Sequence, residues 1–489
     1  MNDQLDQIRL LHASAINKPI QEIEAIPPAG SHRRYYRISH TDGSTCIATW
    51  NPDKTENETF HYFTTVFQAC KAPVPVILAF NTDRTLYIQD DAGTLCLLDV
   101  LLNEGPTERV LVIYQQAVRQ LAILQRCADQ QLDYSRCLSA TEFDQKAILA
   151  DLLYFKYYFL DPMGISYRKD QLFAELEALS NSEAFKQPAG FMYRDFQGRN
   201  IQINNDKITF IDYQGGMKGP LAYDLASLLW QAKAGLSDAW KKILFETYCE
   251  QLNKVSQQSV DAVVLQTSYQ QCVLIRMLQT LGAYGFRGLF EKKSHFIQSI
   301  QPALKQLSAF LAQYPIPVTY PTLKKVLEAI TEDSFQKKFV PIRANEHTPL
   351  TVRVQSFSYL QNGYPKSTHA NGGGFVFDCR GILNPGRITE YKTQSGQDKP
   401  VQIFLEEQTR MPAFIQHIKD SVGITIENYI ERGFEHLEIS FGCTGGQHRS
   451  VYAAETIERH IRETYGVKTE LRHLNRENWV KTLPSSTQR

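Results

Sequence analysis

The chain has 489 residues, 43% of them hydrophobic and 21% charged, which excludes a disordered polymer and leaves room for two or three domains. Lysine plus arginine and aspartate plus glutamate both number 52, so the formal charge is zero and the strongly basic balance of a dedicated nucleic-acid binder is missing. No apolar run is long enough to cross a membrane, and nine scattered cysteines without a Cys-x2-Cys pair speak against a zinc ribbon or disulfide framework and for a reducing cytoplasm.

The opening stretch, MNDQLDQIRLLHASAI, has early aspartates and an amphipathic pattern, which predicts a helix and not a signal peptide. From about residue 23 to 100 the text reads as short strands with turns. One hairpin is expected around Asp42-Gly43 and a second around Asn81 to Arg84. Helical periodicity dominates from about 108 to 185. There, ATEFDQKAILADLLYFKYYF spaces its aromatics as a helix does, a stripe read as core before sugar platform. Two short strands are expected around Ile201 and Ile208 to Ile211, and helices from Asp224 to about Gln313. YPIPVTYP, Tyr314 to Pro321, cannot continue a helix, because proline lacks the amide donor and clashes with the preceding turn. A short helix around Leu323 to Ile330 and a connector follow, and strands restart at LTVRVQSFSYL. The expected division is therefore a first domain over 1–315 (N-lobe about 20–100, C-lobe about 101–315), a linker with a short helix over 316–348, and a second domain over 349–489. There is no internal repeat and no low-complexity tract.

Two stretches carry chemistry. In YRDFQGRN, Asp195 is followed five residues later by Asn200, and FIDYQ supplies Asp212 after an apolar strand. Phosphoryl transfer needs a carboxylate to receive the acceptor hydroxyl's proton, plus amide and carboxylate oxygens to hold Mg²⁺ against nucleotide phosphates. An Asp-x4-Asn loop and a strand-end Asp supply those groups in that order.

With these motifs, residues 20 to 310 resemble the aminoglycoside-phosphotransferase-like kinases, and within them the bacterial cell-wall sugar kinases that act on the anomeric hydroxyl of N-acetylmuramate and N-acetylglucosamine. AGSHRRYYRI resembles that group's first loop, and GPLAYDLASLLWQA its helix after the metal-binding Asp. The resemblance implies a two-lobed, protein-kinase-like α+β domain that uses ATP and Mg²⁺, with Asp195 as catalytic base and Asn200 and Asp212 as metal ligands. It puts Gly30, Ser31, Arg33 and Arg34 over the phosphates, Gln89 and Asp90 in a hinge beside adenine, and Asp224 in a tie between its helix and the catalytic loop. Two departures stand out. Tyr193 takes a scaffolding place where His is usual, and TCIATWNP lacks the ATP-contacting Lys, for which Arg33 or Arg34 could supply the charge.

Near the C-terminus, GGGFVFDCRGILNP places Asp378, Arg380 and Asn384 at and just after a strand expected to be buried (Phe375 to Phe377). GCTGGQHRS joins a strand to a helix through a glycine-rich turn, whose N–H groups attract an anion. Ligands bind at such strand ends in α/β sheets. The same turn spells Cys-x5-Arg-Ser from Cys443, the spacing of a cysteine phosphatase loop. FDCRGILNP, SGQDKPV, GCTGGQHRSVYAAE and LRHLNRE together make residues 350 to 479 resemble the C-terminal domain of RapZ, which senses an amino-sugar phosphate and presents RNA to a ribonuclease. That likeness implies a separate α/β domain in which Thr444, Gly445, Gly446, His448, Arg449 and Ser450 hold the sugar phosphate beside Asp378, Arg380 and Asn384. It departs from the family in lacking a GxxxxGK loop, in carrying Asn362 in LQNGYP, and in a tail with five Lys or Arg against two Glu, no dense basic cluster for gripping RNA.

Three readings follow. The first is an ATP- and Mg²⁺-dependent amino-sugar kinase with an appended sugar-phosphate module. The others are an RNA-binding adapter whose kinase lobe only senses nucleotide, and a phosphatase built on Cys443.

Overall fold

The computed structural model describes residues 2–26, 33–256, 259–340, 342–367, 369 and 374–480. They form two compact units, Met1–Phe339 and Val340–Arg489. Among the described residues no helix is long and apolar enough to cross a membrane.

The first unit begins with the helix Asn2–Ala15 and an antiparallel five-stranded sheet, in spatial order Ile20–Ile26, Arg34–His40, Thr45–Trp50, Leu86–Asp90 and Ile77–Phe80. Both expected hairpins are present, and Gly43 takes the left-handed φ of +80° that its turn demands. The N-terminal helix lays Ile8 with Leu5 and Leu11 on one face of this sheet, against Tyr36, Ile38 and Ile88. The helix Lys54–Ala69, N-capped by Asp53, carries Phe60, Phe63 and Phe67 into the larger core. The rest is helical, built on Glu108–Gln131, Gln145–Phe155, Ala222–Leu229, Asp238–Val255 and Ala262–Tyr284, with the short strands Ile201–Asn204 and Lys207–Phe210 at the site described below. Phe155 and Phe159 of the aromatic stripe are fully buried core.

Two features differ from the sequence reading. Residues 316–339 are not a linker. The helix Pro321–Thr331 buries Leu323, Val326, Leu327 and Ile330 in the first unit's core, and Glu175 caps its start by accepting the Thr322 and Leu323 amides at 2.9 and 2.7 Å. The prolines stop one helix, but the next packs back on the same unit. Cys70 and Cys127, 57 residues apart, form a disulfide that ties the end of Lys54–Ala69 to Glu108–Gln131. No local motif announced it.

In the second unit a wholly parallel sheet has the order Gly374–Asp378, His436–Cys443, Thr351–Ser358 and Lys468–His473, the α/β class expected. Its core packs the helices Lys399–Glu407, Met411–Arg432 and Arg449–Tyr465. The strand Gly374–Asp378 is a half-buried edge, not the buried strand expected from its run of apolar residues.

The boundary at 339/340 yields a prediction. Limited proteolysis should cut between 340 and 348 and leave two stable fragments, because the described residues of that stretch lack helix and strand whereas 321–339 is packed. First cuts within 316–339 would contradict it.

Candidate functional site

In the first unit the site is built around the loop from Tyr193 to Asn200. Asp224, fully buried at the start of Ala222–Leu229, accepts the amides of Tyr193 and Arg194 at 2.6 and 2.9 Å and the Gln125 side chain at 2.9 Å. Burial pushes its pKa up to about 7, against the pull of those donors. Arg194 has a left-handed φ of 79°, and its guanidinium is held by Asp151 at 2.8 Å and the Tyr223 hydroxyl at 3.0 Å. This clamp fixes a strained turn and presents the next residue, Asp195, to a cavity. Tyr193 is buried and donates its hydroxyl to the Ile211 carbonyl, which is scaffolding.

Asp195 is held on both oxygens. Oδ1 accepts from Arg276 at 2.8 Å and from Gln197, and Oδ2 from Arg199 at 2.9 Å and Asn200 at 3.3 Å. Burial alone would raise this carboxyl, but Arg276 and Arg199 outweigh it and hold the pKa below the ordinary carboxylate value. Asn200 is buried and donates to the Asp195 carbonyl at 2.8 Å. Asp212 follows the strand Lys207–Phe210 at a left-handed φ of 68° and accepts from Gln214 at 2.8 Å.

Asn200 and Asp212 line a cavity of about 620 Å³ whose far wall comes from the five-stranded sheet. Arg33 is buried there, paired with Glu56 of Lys54–Ala69 and with Asp212 at 3.3 Å. It brings positive charge to a cleft whose strand Thr45–Trp50 has none. Gln89 lines the same cavity, and its Oε1 is buried without a hydrogen-bond partner.

Three expectations need correction or fall away. Arg34 is exposed on the other face of its strand, bonded to Gln4 at 3.0 Å over the Trp50 ring, and lines no phosphate cleft. Asp90 points away from the cavity and accepts the Val76 amide at 2.6 Å, while Asp91, paired with Arg37 at 2.7 Å, lines it. Gly30 and Ser31 lie outside the described residues. Sequence reasoning missed Glu56, Asp91, Arg199 and Arg276.

A second cavity, about 310 Å³, opens on the Asp195 side, and Arg199 lines both. Its walls carry Trp230, Tyr284 and Phe296, the amides of Gln231, Gln279 and Gln306, and the guanidiniums of Arg194, Arg199 and Arg276. Among the described lining residues Asp195 is the one carboxylate.

In the second unit, Asp378 and Cys443 end neighbouring strands, and the turn from Thr444 leads into the helix Arg449–Tyr465, whose N-cap residue His448 makes no capping side-chain bond. Thr444 and Gly445 are exposed; Gly446, His448, Arg449 and Ser450 are buried. Ser450 turns inward onto Cys443, Oγ to Sγ 3.1 Å, and His448 donates Nε2–H to the Tyr391 carbonyl at 2.9 Å, so neither side chain faces the turn's open side. Asn384 caps Gly386 at 3.2 Å. Asp378 is clamped by Arg380 at 2.6 Å, which holds its pKa below the usual value.

Arg449 decides what this turn can do. Its Nη1 donates to the carbonyls of Arg380 and Ile382 at 3.1 and 2.6 Å, so it anchors the loop after Asp378. Its Nε is buried without a partner, and Nη2 has Thr444 Oγ1 at 3.4 Å. That Nε–Nη2 edge is the fork that fits an oxyanion.

Residues 22–257 match the phosphotransferase enzyme family, and residues 350–476 match the RapZ C-terminal domain. The chain thus carries a stretch similar to the phosphotransferase enzyme family ahead of a stretch similar to the RapZ C-terminal domain. A nucleotide-binding protein of Cereibacter sphaeroides is 37% identical over 116 residues, 24% of this chain and 36% of that protein. One from Clostridium beijerinckii is 41% identical over 124 residues, 25% of this chain and 40% of that protein. One from Glaesserella parasuis is 32% identical over 171 residues, 35% of this chain and 54% of that protein. The chain spans about a third to a half of the length of these curated relatives. Among solved structures, ADP-bound aminoglycoside phosphotransferase APH(2'')-Ib is 12% identical at a TM-score of 0.42, covering 62% of this chain and 97% of its own. A choline kinase from Cryptosporidium parvum is 14% identical at 0.45, covering 66% and 99%.

Proposed function

We propose that the first domain transfers the γ-phosphoryl group of ATP to an amino sugar, N-acetylmuramate or N-acetylglucosamine at the anomeric hydroxyl, and that the second domain holds an amino-sugar phosphate. The observation that carries this reading is the pair of cavities lined in common by Arg199, with Asp195 on one and Asn200 and Asp212 on the other. Asn200 and Asp212 offer the hard oxygen donors that Mg²⁺ takes, and Arg33 and Gln89 offer a cation and an amide to a nucleotide. When bound, magnesium and ATP supply the phosphoryl group and neutralise its charge.

Asp195 accepts a hydrogen bond from the acceptor hydroxyl and takes its proton at a carboxylate oxygen. A carboxylate bound by two arginines is a weak base, so its main work is to orient the hydroxyl, with proton transfer late, as a loose transition state allows. The acceptor cavity supports an uncharged or carboxylated sugar. An aminoglycoside's ammonium groups would meet three guanidiniums there, whereas N-acetyl, hydroxyl and carboxylate groups find donors and amides. The test is an ADP-release comparison of N-acetylated sugars with a cationic aminoglycoside; preference for the aminoglycoside would overturn this reading. The reading puts the chain in the cytoplasm, beside ATP and free sugar.

The pH profile follows from the Asp195 pairing. With its folded pKa depressed, the base stays ionised at neutral pH, and its acid limb lies below the usual value of about 4. In Arg276→Met, burial is less opposed, so the limb in kcat/KM should move to higher pH. An unmoved limb would remove Arg276 from the tuning of Asp195.

Cys443 favours a second reading, hydrolysis, because its sulfur sits at the base of the turn, met by Ser450 Oγ at 3.1 Å and the Gly446 amide at 3.2 Å. Against it, Asp378 is a poor donor of the leaving-group proton, since Arg380 holds it ionised. Cys443→Ser should therefore leave glucosamine-6-phosphate binding nearly intact, and the wild type should not hydrolyse an aryl phosphate. Hydrolysis that vanishes in the variant would make the turn a catalyst.

A further inference from the structure

The N-terminal helix and the first hairpin bring together three metal-ligating side chains that the kinase reading does not use. His12 lies in the last turn of the helix Asn2–Ala15, His40 ends the strand Arg34–His40, and Cys46 is the second residue of the strand Thr45–Trp50. All three are at most 3% exposed. Their ligand atoms lie within 4.8 Å of one another: His12 Nε2 is 2.9 Å from His40 Nε2, which is 3.8 Å from Cys46 Sγ. We propose that His12, His40 and Cys46 form a binding site for a thiophilic divalent cation of the zinc class, which clamps the N-terminal helix to the sheet.

Three observations converge on this. Two imidazoles and a thiolate are the donor set zinc prefers, at distances of about 2.0–2.3 Å, which puts ligand atoms of a tetrahedral site roughly 3.3–3.6 Å apart. Of the observed separations, His12–His40 needs the rings to part and His40–Cys46 needs the sulfur to close by a few tenths of an ångström, and the third, within 4.8 Å, closes as the His12 ring turns toward Cys46. Second, His40 is oriented from behind. Its Nδ1 meets Ser44 Oγ at 3.0 Å, and that hydroxyl is fixed by Asp42 at 2.6 Å and Lys18 at 2.8 Å. An Nδ1–H donated to Ser44 leaves Nε2 bare toward Cys46, the outer-shell arrangement that sets a ligating histidine. Third, His12 lines an open cavity of about 580 Å³ with Ile16 and Lys18, which brings solvent to the His12 side of the trio. On binding, the Cys46 thiol gives its proton to solvent as the metal–sulfur bond forms. Without metal, one N–H shared between the two rings accounts for the short contact.

The experiment uses the full chain, stripped with a chelator and titrated with Zn²⁺ and with Co²⁺. The expected result is one equivalent bound, a thiolate-to-cobalt charge-transfer band, and a higher melting temperature with Zn²⁺. Cys46→Ser should abolish the band and His12→Gln the thermal gain. Ser44→Ala should weaken binding by about 10–100-fold. Melting of the metal-free variants shows that each still folds. No bound metal in the wild type, or a band that survives Cys46→Ser, overturns the site.

Discussion

Asp195→Asn should lower kcat for sugar phosphorylation by at least ~10², with nucleotide still bound. The amide keeps the shape of the carboxylate but cannot receive the hydroxyl's proton. It also meets Arg276 and Arg199 without charge, so the hydroxyl's acceptor is both weakened and turned. Nucleotide binding rests on the other cavity, where Arg33, Glu56 and Asp212 are tied to one another and do not depend on Asp195. The check is steady-state turnover beside calorimetric titration with ATP. Unchanged turnover would remove Asp195 from the chemistry, and lost ATP binding would mean the substitution disturbed the fold.

Arg449→Ala should weaken glucosamine-6-phosphate binding by about 1.5–3 kcal/mol, the range for a lost charge-assisted hydrogen bond. The Nε–Nη2 edge is removed, and so is the hold on the carbonyls of Arg380 and Ile382. The loss therefore has a direct part and a positional part. Arg449→Lys keeps the charge and loses the fork, so it should recover only part of the affinity. Calorimetry with all three proteins reads this order. Equal affinity in wild type and Arg449→Ala would take the anion away from this turn.

The proposed catalytic trio was legible because it is nearly contiguous. Asp195, Asn200 and Asp212 fall within eighteen residues, and the strand before Asp212 reads as apolar. The groups that tune them come from afar. Arg276 is on the helix Ala262–Tyr284, inside a run of buried apolar residues, and nothing in that run marks it as the partner of Asp195. The exchange of Asp90 for Asp91 is a matter of parity. Gln89 and Asp91 are two apart and share a face, so naming the residue between them chose the wrong side of the strand. Arg33 and Arg34 pose the same problem, and only the sheet shows which is inside. In the second unit the strand ends were readable. That Ser450 and His448 turn inward was not, because their contacts with Cys443 and Tyr391 depend on tertiary placement. The helix at 321–331 was foreseen as a helix; its attachment rests on Glu175, far back in the chain.

The most direct measurement is incubation of the full chain with ATP, Mg²⁺ and each amino sugar, followed by ADP release and phosphorus NMR of the product. The proposed function predicts stoichiometric ADP and a phosphate on the anomeric oxygen of N-acetylmuramate or N-acetylglucosamine, both absent with Asp195→Asn. ATP that binds while no sugar is phosphorylated would contradict it and leave the domain a nucleotide sensor.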